Sequence, residues 1–138
     1  MEEAPAASPA PVRLYSGEAI AAHTLVLTPL TGSILAAINH RRLGHRAASR
    51  RAILFFGVPS ALLLVAQVFT SDGVSPLLHL AGFAWSIAVA RQLLLEHQVL
   101  FAKHVAAGGQ KAPWYVPTLL AFAVIVLGLL AVFASELL

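Results

Sequence analysis

Eight of the nine Lys and Arg residues of this chain fall in two connections between long apolar segments. Arg41, Arg42, Arg46, Arg50 and Arg51 follow the first segment, and Arg91, Lys103 and Lys111 surround the end of the third. Five of the six acids (Glu2, Glu3, Glu18, Asp72 and Glu136) lie at the opposite ends of those segments. A fold solvated by water gains nothing from sorting charge in this way. A multi-span membrane protein does, because Lys and Arg in short loops are retained on the cytoplasmic side during insertion.

Composition supports the same solvent. Of 138 residues, 59% are hydrophobic and only 11% are charged, against roughly a quarter charged in ordinary soluble domains. The mean hydropathy is +0.82. A pI near 10.0 can signal nucleic-acid binding. Here the basic residues sit in short connections, where they set topology and meet anionic head groups, so no nucleic acid is expected. The absence of cysteine excludes disulfides, thiolate metal sites and Cys nucleophiles.

Residues 1–14, rich in Ala and Pro, read as a disordered tail. They begin with two acids and lack the basic start of a signal peptide. Four spans follow, over about 17–39, 52–70, 76–95 and 114–135. In the first, Pro29 removes a backbone donor and strains the preceding turn, which predicts a kink. Ser71-Asp72-Gly73 predicts a tight turn between spans two and three. The helix of span three should continue past Arg91 as an amphipathic stretch, with Gly108 and Gly109 ending it. Trp114 and Tyr115 provide an interfacial anchor for span four.

The resulting expectation is an all-α, integral membrane four-helix bundle, antiparallel, with span three extended on the cytoplasmic side. Inserted under the positive-inside rule, it would keep both basic connections inside and both termini outside the cytoplasm.

Lipid gives apolar side chains no reason to prefer one another, so small residues and polar contacts direct helix packing. Thr28, Gly32 and Ala36 make one small-residue stripe on span one. Gly82, Ser86 and Ala90 make another on span three, widened by Ala81, Ala84 and Ala88. Both stripes are expected to face other helices. Thr28, Pro29, Thr31 and Ser33 form a candidate polar notch, where a kinked helix exposes carbonyls able to hold an ion or a small polar group.

Few residues suggest chemistry. His23 and His79 lie near the starts of spans one and three. If both spans start on the outer side, the two imidazoles share a depth and match the ligand set of a bis-His haem. The competing reading is two interfacial histidines bonded to head groups or carbonyls. His40, His45, His97 and His104 all fall on the basic side. His97 and His104 are about 10 Å apart along a helix axis, too far to share one ion, so no metal site and no cofactor are expected. Arg91 and Glu96 are charges near a span, a default functional flag, although both lie near its end, where Arg91 can snorkel. No catalytic triad, phosphate loop, zinc-protease motif or paired intramembrane carboxylate is present, and no enzyme is expected.

The run from Tyr15 to Gly44 contains Tyr15-Ser16, an Ala-rich helix start, Pro29-Leu30, Leu35, Asn39, Arg41-Arg42 and Leu43-Gly44. It resembles the opening of small multi-pass bacterial membrane proteins that carry only uncharacterised labels. The resemblance implies a bacterial inner membrane, a helix end at Asn39–Gly44 with its arginines at lipid phosphates, and no particular activity. From the residues, the leading expectation is a non-enzymatic accessory or scaffold subunit, with lipids and other membrane subunits or further copies of itself as partners. The alternatives are a small oligomeric transporter or channel and, less favoured, a haem protein.

Overall fold

The computed structural model describes residues 12–69, 75–120, 122, 123 and 126. Most of the N-terminal tail, the Ser71-Asp72-Gly73 turn and nearly all of the last apolar run beyond residue 120 lie outside the described residues. Among the described residues the chain is mostly helical. It comprises β1 (Arg13–Leu14), α1 (Gly17–Val26), α2 (Pro29–Arg42), α3 (Arg46–Ala52), α4 (Val58–Phe69), α5 (Ser75–Ala106) and β2 (Gln110–Lys111). A π-helical turn, Ile53–Gly57, joins α3 to α4. Two stretches, Arg46–Gln67 and Pro76–Ala106, are helical, long and apolar enough to cross a membrane.

The largest departure from the sequence expectation is in 17–39. That stretch is not one kinked span. It is two helices folded back on each other. Ser16 caps α1, its side chain accepting from the Ala19 N–H. The Thr-Pro step then restarts the helix. The residue before a proline is pushed out of the α region, and Thr28 is extended at φ −162 and ψ 156. Pro29 occupies the first turn of α2, where its missing N–H costs nothing, and the Thr28 side chain accepts from the Thr31 N–H. The predicted kink is thus a complete reversal.

Two contacts fix this hairpin. At its open end, Asn39 Oδ1 accepts from the Tyr15 N–H at 2.9 Å, and Asn39 Nδ2 donates to the Tyr15 carbonyl at 2.8 Å. A continuous helix would hold residues 15 and 39 about 36 Å apart. Halfway along, Gly32 lies against Thr24, and a Cβ built on Gly32 would sit only 1.8 Å from Thr24 Oγ1. That hydroxyl cannot swing away freely, because it donates to the Ile20 carbonyl.

The clamp also revises the last residues of the expected tail and the end of the molecule at which α1 starts. Leu14 and Tyr15 are buried, and β1 pairs in parallel with β2. Arg42 donates to the Arg13 carbonyl at 2.6 Å and sits 5.5 Å above the Tyr15 ring. The start of α1 therefore lies at the same end of the molecule as Arg42 and Lys111, not at the opposite end.

The other elements pack around the hairpin. α1 rests on α5, with Gly17 against the backbone of Leu94 and Gln98. Ile20, Leu35, Ala36, Val89 and Leu93 belong to the core between these helices. α4 and α5 are antiparallel, tied by Trp85 Nε1 donating to Ser60 Oγ at 3.0 Å and Gln67 donating to the Leu78 carbonyl at 3.2 Å. The π turn lies just before Pro59, which has no N–H to give to the preceding turn; the widened turn bonds the Val58 N–H to the Ile53 carbonyl instead. α5 runs unbroken to Ala106, so Gln92–Ala106 continues the long helix. At its end Gly108 takes φ +84 and the Gly109 N–H reaches the His104 carbonyl; Gly44, at φ +79, closes α2 in the same way.

The hairpin makes a paired prediction. Gly32→Val should lower stability by about 2–4 kcal/mol, read as a large fall in melting temperature of the detergent-solubilised protein, because Thr24 has nowhere to go. Gly57→Ala should be near neutral, since its new Cβ would meet Ser33 and Leu30 only at 3.6 and 3.7 Å. Equal responses at the two positions would contradict the close approach of α1 and α2.

Candidate functional site

The Asn39 clamp fixes the rotation of α2 at its last turn and so fixes where His40 points. His40 is buried and faces α5. There its Nε2 meets Glu96 Oε1 at 3.0 Å. His97, the next residue on α5, is fully buried, and its ring packs edge-on to His40 with centroids 5.0 Å apart. His45 is 6.3 Å from His40 by the same measure. His40 of α2 thus meets the adjacent Glu96 and His97 of α5 at the basic end of the molecule. Counting about twenty residues of α5 from Pro76 to cross ~30 Å of hydrocarbon, Glu96 and His97 fall just beyond the spanning part.

The hydrogen bonds decide the chemistry of each ring. His97 Nδ1 lies 3.0 Å from the Leu93 carbonyl. A carbonyl only accepts, so Nδ1 carries the proton and, in the neutral ring, Nε2 carries the lone pair. That Nε2 is buried without a hydrogen-bond partner, as is His40 Nδ1. Burial pushes the His97 pKa down, with a further push from His40, while Glu96 and the carbonyls of Leu93 and Ala36 oppose it. The hydrogen bond from His40 holds the Glu96 carboxyl below its ordinary value against partial burial, helped by His97, His40 and Arg51. The cluster at neutral pH is therefore an ionised carboxylate beside a neutral imidazole with an unused lone pair.

The sequence-predicted sites are distributed otherwise. His23 is buried on α1, its ring held between the Ala19 carbonyl and the Thr118 hydroxyl. His79 is exposed near the start of α5. Gly17 rests against Leu94, so His23 lies about 9 Å up α1, whereas His79 lies about 22 Å away along α5. The two are not brought together, because the hairpin reverses the end from which α1 starts.

Thr28, Pro29, Thr31 and Ser33 form the turn and first turn of α2. Thr28 caps, Thr28 and Thr31 hydroxyls lie 3.1 Å apart, and Ser33 donates to the Pro29 and Leu30 carbonyls. Thr28 and Pro29 border a cleft of about 250 Å³ that Ser60, Gln67, Trp85 and Ser86 also line. Gly32 and Ala36 are buried, Gly32 against α1. Gly82 faces the Gln67 amide, Ser86 donates to the Gly82 carbonyl, and Ala90 is buried. Ala81, Ala84 and Ala88 are exposed and do not widen that contact. Arg41, Arg42, Arg46, Arg50 and Arg51 are all exposed around the α2–α3 connection, and Arg91 is exposed on α5, away from the cleft.

Sequence reasoning missed the cluster because it compared His97 only with His104 on the same helix. The available signal was His40 directly after an Asn at a helix end, with a Glu-His pair on another helix of the same basic side. No protein family, no curated protein and no solved structure matches this chain.

The His40–Glu96 contact sets a measurable coupling. Glu96 is 40% exposed, so solvent limits its value. A double-mutant cycle of His40→Ala and Glu96→Ala, read from equilibrium denaturation in detergent, should give a coupling of about 1 kcal/mol. Additive effects would mean that the two side chains do not meet.

Proposed function

We propose that the chain is a non-enzymatic multi-pass protein of a bacterial inner membrane, an accessory or scaffold subunit organised around a hairpin that enters the bilayer from the cytoplasmic side and returns to it. Lengths support the re-entrant placement. α1 and α2 have 10 and 14 residues, or about 15 and 21 Å, well short of a ~30 Å hydrocarbon core. Backbone that turns inside a membrane needs its polar groups covered by protein, and the Thr28 cap and the flanking helices supply that cover. Val26 at the tip is 80% exposed and apolar, which suits lipid. The arginines of 41–51, with Lys103 and Lys111, favour a cytoplasmic open end. This puts residue 12 inside, where charge sorting alone put the N-terminal side outside.

The observation that carries the accessory reading is how the polar groups between the helices are used. Thr24, Ser33, Ser60, Ser86 and Asn39 all bond to the chain's own backbone. Such groups serve packing and, among the described residues, leave no continuous polar lining across the bilayer. Meanwhile large apolar side chains such as Leu62, Phe69, Leu77 and Phe83 are more than half exposed, a surface for lipid or for another subunit. A small transporter is the second reading, favoured by the cleft at the hairpin tip; solute flux through vesicles holding only this protein would support it.

Two results would test the proposal. Single cysteines replacing Arg13 and Arg46 should both be labelled only from the cytoplasmic face by an impermeant thiol reagent. Labelling of Arg13→Cys from outside would rule out the re-entrant placement. Crosslinking at native expression should capture a discrete membrane partner or a homo-oligomer; a chain that stays strictly monomeric would overturn the scaffold role.

A further inference from the structure

We propose that His40, Glu96 and His97 form a binding site for one divalent first-row transition-metal cation of the Zn²⁺ type, at the basic end of the molecule. Three observations carry it. First, one donor atom from each residue lies within 4.8 Å of the others. Ligand atoms around a tetrahedral zinc at bonds of ~2.0–2.1 Å sit about 3.4 Å apart. The His40–Glu96 pair is already at 3.0 Å, so closure asks for movement of about an ångström, chiefly from one ring.

Second, the two imidazoles are more than nine-tenths buried, at 3% and 0% exposure, and each has one ring nitrogen without a partner. At His97 Nε2 a bound ion would remove the cost of roughly 1–3 kcal/mol that a buried unpaired nitrogen carries. Helix packing alone gives no reason to bury two imidazoles face to edge, since apolar residues would fill the same space without that penalty. Third, His97 is held as a metal-ligating histidine is held. Its Nδ1–H donates to a backbone carbonyl, which fixes the ring and leaves the lone pair on Nε2.

The donor set selects the ion. Two imidazole nitrogens and one carboxylate suit Zn²⁺, Co²⁺ or Ni²⁺ and are too few and too nitrogen-rich for Ca²⁺ or Mg²⁺. A three-residue set leaves a fourth position for water or a partner's ligand. The approach is open on one side: Glu96 borders a groove of about 500 Å³ that His45, Lys103 and His104 also line. The ion would bridge α2 to α5 and lock the open end of the hairpin, next to the Asn39 clamp. Binding makes and breaks no covalent bond in the side chains beyond one proton shift: the ion takes the His40 Nε2 position that faces Glu96, and the proton there moves to His40 Nδ1.

The test uses the full chain in detergent, carrying no polyhistidine tag and stripped with a chelator. Zn²⁺ titration by calorimetry should give one saturable site per chain, and Co²⁺ should develop the visible ligand-field bands of a low-coordinate nitrogen–oxygen site that Zn²⁺ then bleaches. His97→Ala and His40→Ala should each weaken Zn²⁺ binding at least tenfold. Glu96→Gln, a near-isosteric change at a half-exposed position that keeps the fold, should do the same. His79→Gln, at the other end of α5, should bind as the parent does. Absence of saturable Zn²⁺ binding by the parent chain, or parental affinity in Glu96→Gln or in a folded His97→Ala protein, would overturn the proposal.

Discussion

The side-chain amide of Asn39 does what a neighbouring strand would do: it offers one acceptor and one donor to the backbone of Tyr15. Both groups are buried, and an amide left unpaired there costs roughly 1–3 kcal/mol per group. The pairing therefore closes 15–39 into a loop with a defined register. From that closure follow the approach of Gly32 to Thr24, the burial of Leu14 and Tyr15, and the pairing of β1 with β2. It also sets the rotation of α2 that turns His40 toward Glu96 and His97. Structure and candidate chemistry share one anchor.

The hairpin is built from local rules that agree with one another. Ser16 and Thr28 are both caps, Pro29 sits where a helix tolerates it, and Gly32 provides the close approach that antiparallel helices need. Arg42 extends the clamp by reaching the Arg13 carbonyl and covering the Tyr15 ring. At the other end of the molecule, Ser60 and Trp85 join α4 to α5 by the same economy of one polar contact in an apolar setting.

Much of this was legible before any coordinates. The helical character, the apolar runs at about 52–70 and 76–95, the continuation of the latter as helix and its glycine end follow from hydropathy and turn residues, while the structure starts the earlier helical stretch at Arg46, inside the basic connection. The reversal at Thr28-Pro29 was not legible, because a proline within an apolar run of spanning length predicts a kink as readily as a restart. What decides is tertiary: Asn39 finding Tyr15, and Thr24 finding a glycine opposite. The same error moved the start of α1 to the wrong end and paired His23 with His79. The His40–Glu96–His97 cluster was hidden for a related reason. Spacing along one helix reveals ligands that share it, whereas this set is assembled from two helices whose contact depends on the hairpin.

The reversal of 17–39 is open to a direct distance measurement. The chain has no native cysteine, and Glu18 and Arg41 are both exposed, so spin labels at Glu18→Cys and Arg41→Cys report without disturbing the core. Pulsed electron–electron resonance on the protein in lipid nanodiscs should give about 10–20 Å, one interhelical spacing plus the label arms. A peak near 35 Å, the length of an unbroken helix between those positions, would contradict the account.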